Sequence, residues 1–184
     1  MNPIPRCGRF APLTLALGLC AGLLSAESKL PAPQLDPVFD LHLQLAKPID
    51  VGQTGSAGLR RVVNVVGGAL EGTGSVPLKG KILPGADYQM IRPDGFTEID
   101  AHYVVQMDSG DLIYVTNRGM RHGPADLLAK LNAGEAIDQS KIYFHTIISV
   151  ETAAKTLEWM SRSILVSAGE RQPGEAVIHV YRLN

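Results

Sequence analysis

Asp100 and His102 stand two residues apart in the run EIDAHYVVQ, residues 98–106. In a strand that spacing puts a carboxylate and an imidazole on one face, where they can work as an acid–base couple. Tyr114 and Arg118 also share a face. If the two strands pair with those faces together, a Tyr–Arg–Asp–His cluster results. On the outside of a sheet the same cluster is a set of surface ion pairs. Asp87 follows Gly85 by two residues, where a strand leaves a turn. A carboxylate there caps a loop, pairs with an arginine, or acts as a general base if buried. Arg92 has a guanidinium fork to bind a carboxylate or to pair with Asp94. Tyr103, His145 and the single tryptophan, Trp159, complete the candidates for a ligand-binding wall. Trp159 equally suits a plug or lid at the end of a barrel.

Other chemistries lack their residues. The five histidines, His42, His102, His122, His145 and His179, show neither HxH nor HExxH spacing, so no metal site is expected. No GxSxG elbow is present for a nucleophilic serine. Gly67-Gly68 and Gly72-x-Gly74 do not make the GxGxxG spacing of a dinucleotide site; they suit bends and bulges in a curved sheet. No cofactor is expected.

The elements that must position these side chains are strands. Residues 38–46 alternate, with Phe39, Leu41, Leu43 and Leu45 on one face. Residues 60–66 (RRVVNVV) form a β-branched run. Residues 50–58, with three glycines, read as a mobile loop, and residues 75–83 as a strand that Pro77 places at an edge or bulge. Within residues 80–119, tight turns at Pro84-Gly85, Pro93-Asp94-Gly95 and Asp108-Ser109-Gly110 separate adjacent strands. Residues 124–131 and 151–160 carry helical spacing for two short helices, and residues 141–150, 164–167 and 176–183 are the last strands, with a loop at 169–174. About nine strands with no long helix predict an all-β fold, an antiparallel meander closing into a lipocalin-like or cyclase-like barrel.

Ahead of that domain, Arg6 and Arg9 precede an apolar run, residues 10–24, and Leu24-Ser25-Ala26 offers a small-residue cleavage site. Residues 1–26 read as a signal peptide, 27–37 as a Pro-rich linker and 38–184 as one barrel domain. Cleavage after Ala26 removes both cysteines, Cys7 and Cys20, and leaves a periplasmic or secreted protein without thiol or Cys-metal chemistry. All 18 Asp/Glu and 15 of the 17 Lys/Arg follow residue 26, a net charge of −3 that argues against nucleic acid as partner. The mature form carries no membrane span, and the sequence leaves its oligomeric state open.

The ordered set Val65-Val66-Gly67-Gly68, Gly80 through Tyr88 (GKILPGADY), Asp94-Gly95, Asp100-Ala101-His102-Tyr103, Asp108-Ser109-Gly110 and Tyr143-Phe144-His145-Thr146 resembles the bacterial and fungal domain-of-unknown-function family 3237. The resemblance covers residues 38–183 and implies a small antiparallel β-barrel with no established activity. It departs where arginine is expected, at His102 and His145, so that an anion site there would use imidazole. Three functions remain open, one of them a structural or assembly role through an exposed sheet face. Another is binding of a small apolar or aromatic molecule in the lumen, with Arg92, Tyr103, Tyr114, Arg118, His145 and Trp159 as wall. The third is a cofactor-independent isomerase, cyclase or lyase using Asp87, Asp100 or His102 for proton transfer.

Overall fold

Alternating apolar and polar residues dominate the chain, and ten antiparallel strands follow from them. The computed structural model describes residues 30–55, 57–74 and 77–184; the expected signal peptide lies outside the described residues. The strands are β1 (Leu35–Leu45), β2 (Ile49–Gln53), β3 (Leu59–Gly72), β4 (Lys79–Ile82), β5 (Gly85–Ile91), β6 (Thr97–Met107), β7 (Leu112–His122), β8 (Tyr143–Thr152), β9 (Leu165–Gln172) and β10 (Glu175–Leu183). Two short helices, α1 (Ala125–Asn132) and α2 (Glu158–Ser161), interrupt them.

From β5 to β10 every strand pairs with its successor. β10 then pairs with β1, and β1 with β3, which closes the barrel. Closure removes the unpaired edges that an open sheet of this size would expose. β4 and β5 are one stave broken in the middle. Both lie between β3 and β6, in one continuous register against β3. Against β6 the register slips: Ile82 faces Val105 and Ala86 faces His102, four steps on one side against three on the other. Pro84, which has no amide hydrogen to give, lies in this break. Counted this way the barrel has eight staves, with β2 added on the outside of β3.

β1 begins at Leu35, so the last three residues of the expected linker belong to the barrel. Residues 50–53, expected in a loop, belong to β2, whose Ile49 and Val51 stay exposed on an edge strand. The loop expected at 169–174 is only a tight turn, since Arg171 pairs with Ala176 and Gln172 with Glu175. β9 keeps Gly169 within the strand because the Phe144 ring lies on it; a Cβ there would meet the ring at 2.6 Å. Gly68 has φ +139°, and a Cβ on it would run into the His42 carbonyl oxygen.

The barrel interior is filled. Phe39, Leu41, Leu70, Tyr103, Ile113 and Leu165 are all at most 2% exposed. A side chain of this size contributes about 1.5–3 kcal/mol on burial, so this packing is the main source of stability. Among the described residues no helix is long and apolar enough to cross a membrane.

Candidate functional site

One end of the barrel is open. Its rim is made by the β1–β2 connection (Ala46, Lys47, Pro48), the β9–β10 turn (Pro173, Gly174) and the C-terminal end of α1 (Leu131, Asn132). Leu45 donates its amide hydrogen to the Gly174 carbonyl at 2.8 Å and ties two of these together. α1 is seated by Leu128, whose methyl lies 2.9 Å from the place a Cβ on Gly95 would take; Gly95 has φ +85° in the Pro93–Gly95 turn. The rim encloses a cup of about 300 Å³ whose floor is set by Val63, Gln89, Arg121 and Arg171. Below the floor, a chamber of about 30 Å³ reaches into the barrel and is lined by Asp87, Asn117, Ile99 and Phe144. Leu45, Val63, Gln89, Arg121 and Arg171 line both spaces.

Polar side chains concentrate at this floor. Gln89, Asn117 and Arg121 are 4%, 1% and 4% exposed. Asp87 accepts a hydrogen bond from Gln89 Nε2 on Oδ2 (2.5 Å) and from the Asp100 amide on Oδ1 (3.1 Å). Desolvation raises the Asp87 carboxyl above the usual aspartate value, and the two hydrogen bonds and the Arg121 charge offset only part of that. Desolvation likewise lowers Arg121 to about 10, against the attraction of Asp87. The buried Arg121 charge and the half-buried Asp87 charge therefore support each other incompletely. Among the described residues Arg121 Nε is buried without a hydrogen-bond partner, while Asn117 Oδ1 and the Tyr103 hydroxyl, both buried, have only each other. Burial also raises the Tyr103 hydroxyl, which feels the Asp87 charge.

The other guanidiniums at the cup are anchored. Arg61 holds Asp50 through Nε and Nη2 (2.6 and 3.0 Å) and Asn132 Oδ1 through Nη1 (3.1 Å). Arg171 donates from Nη1 to the Glu175 carbonyl (2.7 Å) and the Gln172 carbonyl. Gln139 fixes the Arg171 backbone, donating to its carbonyl at 2.7 Å and accepting from its amide at 3.1 Å. Arg121 differs from both: its guanidinium lies 5.8 Å from the Phe144 ring centre and keeps its Nε hydrogen unused.

The candidates read from the sequence divide between two sides of the wall. Tyr114, Arg118, Asp100 and His102 do form one cluster. His102 Nδ1 meets the Tyr114 hydroxyl and His102 Nε2 meets Asp100 Oδ1, both at 2.8 Å, and Arg118 Nε donates to the same oxygen at 2.8 Å. The cluster sits on the outer face, because the apolar set Ile99, Ala101, Tyr103, Val105 and Met107 takes the inner one. Desolvation works against ionisation of Asp100, yet the hydrogen bonds from Arg118 and His102 hold its carboxyl below the usual value. This couple does not reach the lumen. Arg92 pairs with Glu98 rather than Asp94 and stacks over Phe96 at 4.4 Å. His145 also faces outward, its Nδ1 at 3.0 Å from the Ser167 carbonyl and its ring edge-on to Tyr143. Trp159 packs at the opposite end of the barrel, beside Val38 and Arg182. Only Asp87 and Tyr103 of the nine face inward. The lumen expected to hold an apolar ligand is occupied by side chains, and the remaining chamber of about 30 Å³ has room for a group of atoms, not for an organic molecule. Among the described residues no group of three or more His, Cys, Asp or Glu side chains could hold a metal ion.

Gln89, Asn117, Arg121 and Arg171 were not among the sequence candidates, although a signal existed. Asn117 and Arg121 stand in phase with Ile113 and Val115, and Arg171 in phase with Leu165. A polar residue in the apolar phase of an alternating strand is a buried one.

A family model described as a protein of unknown function (DUF3237) matches residues 33–183. A UPF0311 protein of Bradyrhizobium diazoefficiens is 37% identical over 154 residues, covering 82% of this chain and 98% of that protein. The crystal structure of a conserved protein of unknown function from Rhodopseudomonas palustris aligns with TM-score 0.77 at 33% identity, covering 84% of this chain and 99% of that one. A beta-barrel like protein from Acinetobacter baumannii aligns with TM-score 0.73 at 32% identity, covering 86% and 100%. With the match running through all ten strands, the chain belongs to the DUF3237 family of barrel proteins, whose function is unknown.

Proposed function

We propose that this barrel is an exported protein that binds a small organic anion, a carboxylate on a compact apolar or aromatic body, in the cup at its open end. The charged and then apolar residues 1–26 support export. The observation that carries the binding reading is Arg121. A buried guanidinium with an unused N–H is costly, and a ligand carboxylate supplies what it lacks. Arg61, Arg171 and Lys47 surround the same space and add positive potential, while Leu45, Pro48, Leu131 and Pro173 give an apolar wall for the body of the ligand. The cup replaces the lumen as the place for a ligand, and charge replaces apolarity as the main selector.

The test is a thermal-shift and calorimetric titration of the mature protein with benzoate, phenylacetate and cyclohexanecarboxylate, each beside its neutral amide. The acids bind and raise the melting temperature, and the amides do not. At a concentration about 100 times Kd the added stability is about 2.7 kcal/mol. Equal shifts from acids and amides, or none from any acid at 10 mM on the order of ordinary millimolar sites, refute the reading.

A further inference from the structure

The cup accounts for Arg121 and leaves Asp87 unexplained. Among the described residues Asp87 is the one carboxylate lining the inner chamber, directly beneath the floor that Arg121 and Gln89 share with the cup. Its two known hydrogen bonds come from Gln89 and the Asp100 amide, one on each oxygen. Each carboxylate oxygen accepts about two hydrogen bonds, so lone pairs remain on both. The Arg121 Nε hydrogen, unpartnered among the described residues, belongs to a side chain that lines the same chamber, as does Asn117. A chamber of about 30 Å³ with a base, a cationic donor and apolar walls (Ile99, Phe144) fits the reacting end of a molecule whose body lies in the cup.

We propose that Asp87 and Arg121 form a proton-transfer site, acting on a small 2-oxo acid that carries an enolisable C–H beside its carbonyl. The proposal rests on the anion-binding reading of the cup. In the forward step the Asp87 carboxylate takes the proton from the carbon next to the carbonyl. The C–H electron pair becomes the new C=C bond. The carbonyl π pair moves onto oxygen, and the Arg121 guanidinium meets that developing charge and the adjacent carboxylate together, one N–H to each oxygen, with no reorganisation because it is already buried. The Asp87 proton then passes to the enolate oxygen. A ketone becomes its enol, with no oxidant, reductant or co-reactant, and the reverse order of steps returns it. Gln89 is a positioning residue. Its amide holds one Asp87 oxygen, leaving the carboxylate turned into the chamber. Burial also raises the proton affinity of Asp87, which makes it a better base than a solvated aspartate.

Phenylpyruvate is the probe, since it joins a carboxylate, an aromatic body and an enolisable carbon. Proton NMR in D₂O follows deuterium entry at its benzylic carbon, and calorimetry follows binding. The wild-type protein accelerates exchange roughly 100-fold or more over buffer alone, within the range for one positioned base. Asp87→Asn still accepts from the Asp100 amide and, with the Gln89 amide turned over to accept, keeps its contact with Gln89; it binds phenylpyruvate with a Kd within about threefold of wild type and exchanges at the buffer rate. Gln89→Glu, a second variant, binds but shifts the pH profile of exchange. Exchange at the buffer rate with phenylpyruvate bound overturns the role of Asp87 and leaves the anion cup standing. Exchange by Asp87→Asn at the wild-type rate does the same. Failure of both benzoate and phenylpyruvate to bind removes the cup itself, and the proton-transfer site with it.

Discussion

Replacing Arg121 by methionine separates stability from function. The side chain is 4% exposed and its pKa is lowered from the usual arginine value to about 10 by desolvation, a net penalty after the attraction of Asp87. At about 1.4 kcal/mol per pKa unit, the charged form is held in the fold at a cost of about 3 kcal/mol. The sign is fixed by the direction. A base whose native value is depressed destabilises the fold at every pH below that value, so the whole penalty is present at pH 7. Methionine fills a similar volume, carries no charge, and packs on the Phe144 ring. Asp87 loses a favourable charge and responds by holding its proton to higher pH, with its bonds to Gln89 and the Asp100 amide intact. The variant therefore gains up to about 3 kcal/mol. A domain of this size gains about 2–4 °C per kcal/mol, so the melting temperature rises by about 6–12 °C. Scanning calorimetry at pH 7 without ligand measures it, and a benzoate titration of the same sample shows binding lost. A fall of several degrees would refute the reasoning, because Arg121 would then be a satisfied structural cation rather than one kept for a ligand.

Three further outcomes follow from the same packing. For Asp87 the native carboxyl is raised, so the native state holds its proton more tightly than the unfolded chain, and stability falls as pH rises from the ordinary 3.8 through the native value. Asp87→Asn is consequently more stable than wild type at pH 7, and urea titrations show the difference vanishing below pH 3.8; a difference constant across that window contradicts the burial of charge. Gly169→Ala sets a methyl 2.6 Å from Phe144 and pushes the ring toward the chamber, which costs about 1–3 kcal/mol and weakens benzoate binding measured by calorimetry. Asp100→Asn and Tyr114→Phe break the outer cluster, and because that cluster is solvated each moves the melting temperature by less than about 3 °C and leaves ligand affinity unchanged.

The barrel was legible because its signals are local. Turn residues at Pro93-Asp94-Gly95 and Asp108-Ser109-Gly110 fixed the central hairpins, and period-two alternation in β1 and β6 fixed which residues face inward. Errors arose where a local signal was overridden from across the barrel. Residues 50–53 look like loop and become β2 only because Leu59–Val62 offers an edge to pair with. Gly169 looks like a strand end and stays in β9 because Phe144 covers it. Closure of β1 on β10 joins residues far apart in sequence and has no local signature.

The site was harder to see for a physical reason that also explains its chemistry. Chemistry-bearing pairs such as Asp100 and His102 attract attention because they satisfy each other at short range, and groups that satisfy each other in water have little left to offer a ligand. Arg121 and Asp87 are far apart in sequence, each in the apolar phase or at the start of a strand; Arg121 keeps an unused N–H, and desolvation outweighs the hydrogen bonds on Asp87. Their cost is set against the packing of the barrel, where six of the largest core side chains are at most 2% exposed. A fold this well packed can hold a buried charge a few kcal/mol out of balance. That imbalance, rather than the richest cluster of ionisable residues, marks the place where a missing partner would gain the most, and it lies at the floor of the cup.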